Sequence, residues 1–126
     1  MHRSRIGVVL IDHPEDVHAR SRDFWGAALG VTPEVEADNE YSHLGRLGGS
    51  VALEIQRTGA GTPPRVHLDI ETDDVPAEVA RVVGLGASVV EDRDGWTILR
   101  DPGGSLFCVV PVQTGNEFDK HAVTWD

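Results

Sequence analysis

The chain is written twice. "VLIDHPEDVHARSRDFWGAALGV", beginning at Val9, and "HLDIETDDVPAEVARVVGLGA", beginning at His67, each run from an apolar strand through an acidic turn into a helix that ends at Leu-Gly. "GGSVALEIQ" from Gly48 and "GGSLFCVVP" from Gly103 then supply matching closing signals. A duplicated supersecondary unit restricts the fold to two like halves, each with a helix packed on a sheet.

The apolar spacing within each half separates helix from strand. Val17, Ser21, Phe24, Trp25, Ala28 and Leu29 recur at helical spacing, as do Val75, Val79, Val82 and Val83, and both stripes are expected to pack on a sheet. Gly30 and Gly86 are placed to stop these helices, Asp74 to cap the second, and Pro76 is tolerated in its first turn. Three short strands are predicted after each helix, at about 31–37, 40–47 and 50–57, then at about 87–92, 95–100 and 105–112. The order is βαβββ, twice. Module one covers about 5–57, the Gly/Pro linker "TGAGTPP" 58–64, and module two about 65–112. The polar tail, 113–126, is expected to fray or to lie over a neighbouring subunit.

A chain of 126 residues can bury a core without cross-links, and its one cysteine excludes an intrachain disulfide and fits a reducing compartment. Eleven Lys and Arg against 21 Asp and Glu leave a formal charge of -10, which argues against nucleic acid and anionic membranes and favours a cationic ligand. The first apolar run stops at Asp12, too short for a signal peptide or a membrane span, so a cytoplasmic location is expected. "GLGASV" follows a helix instead of opening one, and no nucleotide-binding glycine pattern occurs.

Strand alternation sorts the polar residues. Val66, Leu68 and Ile70 are expected against a helix, leaving His67, Asp69 and Glu71 on the other face. In the first half, Ala52, Glu54 and Gln56 share a face if Val51, Leu53 and Ile55 form the core-facing set, which is the placement we favour. Aligning the two "GGS" signals instead pairs Cys108 with Leu53 and turns Glu54 away. Tyr41 and His43 alternate on a neighbouring strand, facing either a cavity or water. Trp25 reads as core, and Trp96 as a packing residue or a stacking platform. His2, His13, His18 and His121 lack metal-ligand spacing and are expected to be solvated.

The doubled βαβββ plan, "VHLDIETDDV" and the closing "LRDPGGSLFCVV" resemble the vicinal oxygen chelate superfamily, which includes glyoxalase I, extradiol dioxygenases and bleomycin-resistance proteins. The resemblance spans about residues 5–112 and is closest to small glyoxalase-like proteins. It implies an α+β fold in which two βαβββ modules form an open, cavity-enclosing mixed barrel with helices outside, commonly a homodimer. Metal-bearing members carry a histidine on the first strand of each module and a carboxylate on the last. Here His67 matches the second histidine, Val9 (or Val8) stands at the first, and Cys108 holds the second carboxylate position, with Glu54 the candidate for the other. The implied metal site is degenerate, and neither a metal nor another cofactor is expected.

On this resemblance the candidate catalytic residues are His67, Glu54 and Asp69, with Val9, Ile11, Tyr41, Gln56, Glu71, Trp96 and Cys108 lining a ligand cavity. Three functions stay open. The first is a small-molecule-binding protein, as an enzyme a metal-independent isomerase or lyase that uses His67 as acid or base. The second is sequestration of an antibiotic or metabolite. The third is a metal-dependent lyase or dioxygenase whose site Glu54 or Cys108 completes. Cys108 is correspondingly a ligand, a nucleophile paired with His67, or a small buried filler. The expected partner is a compact organic molecule with a cationic or hydrogen-bond-donating end.

Overall fold

The computed structural model describes all 126 residues as nine strands and three helices, a mixed α+β chain. In order these are β1 (His2–Pro14), α1 (Glu15–Leu29), β2 (Glu34–Val35), β3 (Tyr41–Arg46), β4 (Ala52–Thr58), β5 (Arg65–Thr72), α2 (Val75–Gly84), β6 (Ser88–Arg93), β7 (Trp96–Arg100), β8 (Leu106–Pro111), α3 (Asn116–His121) and β9 (Val123–Trp125). The βαβββ order occurs twice, followed by α3 and β9. Two compact units form, one of Val9–Val66, the other of Met1–Val8 with His67–Asp126. No helix is long and apolar enough to cross a membrane.

In the Val9–Val66 unit the strands lie in the order β2-β3-β4-β1, and α1 packs on β3 and β4. Ser42, Leu44 and Ile55 are buried on the covered face. Gly30 ends α1 in the left-handed region at φ 71°, as its position predicts. The helix is rotated from the expected stripe. His18 and Gly26 are buried, whereas Phe24 is 62% and Leu29 46% exposed. The cause is local: a Cβ on residue 26 would come within 2.8 Å of the Pro33 ring, so the glycine face accepts the loop after the helix and the larger apolar residues turn outward. His18 is therefore not solvated; burial lowers its pKa, with the positive charges of Arg22 and Arg57 adding to the effect. At the far end of β1, Arg65 Nε donates to buried Asp12 Oδ2 at 2.9 Å.

In the other unit the order is β9-β1-β5-β8-β7-β6. Val82 of α2 packs on Leu99 and Val109, and Ile70, Val75, Val79 and Phe107 complete the cluster. Asp74 caps α2 by accepting from Ala77 N at 3.0 Å, and Gly86 follows it at φ +119°. Val83 and Leu68 stay 42% and 40% exposed, because the short helix covers the sheet only around Leu99 and Val109. The tail neither frays nor leaves the chain. Its strand β9 pairs antiparallel with the start of β1, Trp125 Nε1 donates to Ser4 Oγ at 2.9 Å, and Phe118 is 2% exposed. His2 is likewise engaged, its Nε2 2.8 Å from Oε1 of buried Glu78.

Candidate functional site

Strand β5 runs parallel to β8, with Asp69 opposite Cys108, and β8 pairs antiparallel with β7, with Ile98 opposite Cys108. Leu99, Val109 and Ile70 face α2. Alternation therefore puts His67, Asp69, Glu71, Cys108, Ile98 and Trp96 on the opposite face. One nitrogen of His67, one oxygen of Asp69 and the Cys108 sulfur lie within 4.8 Å of one another. His67 and Cys108 are both 8% exposed. Asp69 Oδ1 stands 3.4 Å from His67 Nε2 and is buried without accepting a hydrogen bond.

Glu71 shares this face but is fully consumed by the fold. It is 0% exposed; Oε1 accepts from the backbone of Gln113 and Thr114 at 2.7 and 2.9 Å, and Oε2 from Thr114 Oγ1 at 2.6 Å. Arg5 Nε lies 2.9 Å from Oε2. A group so saturated is assigned to structure, which corrects its expected place among the ligand-lining residues. Trp96 is partly buried at the start of β7, with the Arg93 guanidinium 5.5 Å from its ring centroid.

Glu54 belongs to a polar group within the Val9–Val66 unit. The β3–β4 register pairs His43 with Glu54, Tyr41 with Gln56, and Ser42 with Ile55. Since Ser42 and Ile55 are buried toward α1, Glu54 and Gln56 lie on the other face, where Gln56 Nε2 donates to Tyr41 Oη at 3.1 Å. The β3–β4 register slips by one residue between His43 and Arg46, whereas the β7–β8 hairpin keeps one register throughout.

His43 links two carboxylates, with Nδ1 3.0 Å from Glu54 and Nε2 2.7 Å from Glu36. Burial lowers the ring's pKa, but the attraction of Glu54 and Glu36 outweighs it, and the net shift is upward. Glu36 was not legible as a partner, since it precedes the hairpin by a turn; the Tyr41/His43 alternation was the available signal. Val9 and Ile11 are partly buried on β1, on the face opposite buried Leu10 and Asp12.

An ion held by two histidines and two carboxylates, as the resemblance implies, does not fit these residues. Val9 offers no donor, and the second carboxylate position is occupied by the thiol of Cys108.

A sequence profile of the glyoxalase-like domain matches residues 8–110. No curated protein matches the chain. Among solved structures, a Legionella pneumophila protein described as an NAD-dependent benzaldehyde dehydrogenase aligns at 12% identity over 84% of this chain and 98% of that chain, with a TM-score of 0.61. A Streptomyces coelicolor methylmalonyl-CoA epimerase aligns at 21% identity over 85% of this chain and 96% of the other, with a TM-score of 0.56. Two such different activities on one backbone show that the likeness carries the fold and leaves the reaction to the side chains. With the doubled βαβββ order and the match over most of its length, the chain belongs to the glyoxalase-like domain family of the vicinal oxygen chelate superfamily.

Proposed function

We propose that the chain binds a compact organic molecule against the β5/β8 face and moves a proton on it, in a reaction of the isomerase or lyase type, with His67 as acid or base. The observation that carries this reading is the pairing of a nearly buried imidazole with the Asp69 carboxylate at 3.4 Å. That carboxylate lies where it offsets the positive charge the ring acquires on accepting a proton. Cys108 and Ile98 give the same face a weakly polar and apolar floor. The charge of -10 supports a ligand with a cationic end. A homodimer in the cytoplasm belongs to the same proposal, and sedimentation velocity checks the dimer.

The test is exchange of α-hydrogens for deuterium, followed by NMR, in a panel of small hydroxyketones and aminoketones. Wild-type protein is expected to speed exchange in at least one compound, and His67→Gln to reduce the rate by about 100-fold or more while the fold is retained. Tight binding without exchange, weakened only in part by His67→Gln, would instead favour sequestration.

A further inference from the structure

We propose that α1 is an acid-released cover in the Val9–Val66 unit: when the His18 ring takes up a proton, the helix leaves the β3/β4 hairpin while the strands stay paired. The device does not depend on the role given to His67.

His18 and Gly26 are the two buried residues of α1. The His18 ring is 1% exposed, and its Nε2 has no hydrogen-bond partner. A neutral imidazole tolerates this position, because one of its nitrogens is then a bare acceptor. A protonated ring carries N–H on both nitrogens, and a buried N–H with nothing to accept it is costly.

The surrounding charges add to that cost. Arg22 on α1, Arg57 on β4 and His13 at the end of β1 all act on the ring, and each is positive or becomes so on protonation. The two guanidinium groups are pinned. Arg22 Nη1 donates to Asn39 Oδ1 at 3.3 Å, and Arg57 Nε and Nη2 donate to the carbonyl oxygens of Asn39 and Asp38 at 3.3 and 3.2 Å. The other strand under α1, β3, turns Ser42 and Leu44 toward the helix, and neither titrates. Asp12, buried on β1, is paired with Arg65, and the acids of α1, Glu15, Asp16 and Asp23, are exposed. Burial first, and these positive charges second, hold the pKa of the covered ring below 6.5.

Little else holds the helix down. Phe24 is 62% and Leu29 46% exposed, and Pro14 gives α1 no side-chain cap. Gly30, at φ 71°, is the pivot where the helix meets its following loop. The hairpin beneath responds in the opposite sense, because acid protonates His43 and strengthens its bridge between Glu36 and Glu54. The released His18 ring titrates near its ordinary 6.5 and the covered ring below it, so the covered state binds fewer protons. The helix is therefore fully held above that pH and is released progressively as pH falls below it.

The experiment is hydrogen exchange followed by mass spectrometry on the full-length protein at about pH 7.5 and about pH 5.5, with rates corrected for the pH dependence of the exchange chemistry. Protection of the α1 amides is expected to fall by about threefold to tenfold in acid, whereas the β3 and β4 strands and α2 keep theirs. His18→Gln, which cannot take up the proton, is expected to abolish the difference in α1. NMR of the wild-type His18 ring, which needs no variant, is expected to give a titration midpoint below 6.5. Equal protection of α1 at both pH values, a loss shared by the strands and α2, a loss that persists in folded His18→Gln, or a midpoint at or above 6.5 would each overturn the release.

Discussion

Glu71 shows how a polar face can be divided between fold and function. Along β5 it alternates with His67 and Asp69, yet it closes on Arg5 and Thr114 while the other two remain beside Cys108. Its close approach to β1 depends on Gly7, because a Cβ there would stand 2.5 Å from Glu71 Cδ. Gly7→Ala is therefore expected to cost about 1–3 kcal/mol by overpacking, and Glu71→Ala about 3–5 kcal/mol by leaving Arg5 buried without its partner, both checked by urea unfolding. Period-two alternation made the shared face of His67, Asp69 and Glu71 legible. It was silent on Glu71's burial, because the backbone donors that consume it come from Gln113 and Thr114, beyond β8, in a stretch whose polar composition reads as a tail.

At the scale of elements, the second module was easier to read than the first. Val75, Val79 and Val82 of α2 point where their spacing says, with Val83 left exposed, but α1 turns its glycine inward to meet Pro33, a contact no helical period encodes. The bulge beside the His43–Glu54 pair was equally hidden: it lies between His43 and Arg46, where Gly45 takes φ 108°. The Glu36–His43–Glu54 cross-link, which ties β3 to β4 and to the residue after β2, makes the hairpin sensitive to pH. Because the folded pKa of His43 lies above its ordinary value of 6.5, its contribution is complete below that pH and is lost as pH rises through the folded value. The melting-temperature advantage of wild type over His43→Gln is thus expected to shrink as pH is raised from about 6 to about 8.5. The C-terminal segment makes an independent prediction. Phe118→Ala is expected to cost about 3–5 kcal/mol, a loss that a frayed tail would not show.

For the molecule as a whole, the excess of acids over bases is a burden on folding as well as a guide to ligands. With a formal charge of -10, self-repulsion is expected to ease as salt screens it, so the melting temperature rises between about 10 mM and about 150 mM sodium chloride. The central claim concerns one face of one unit, and its most direct test is a residue-resolved binding map: NMR of isotopically labelled protein against a library of small cationic and neutral fragments. The account predicts that the largest shift changes fall on His67, Asp69, Cys108 and Trp96, and that His67→Gln weakens those fragments without disturbing Glu71 or Thr114. Changes confined to surfaces remote from β5 and β8, or no response from this face to any fragment, would contradict it.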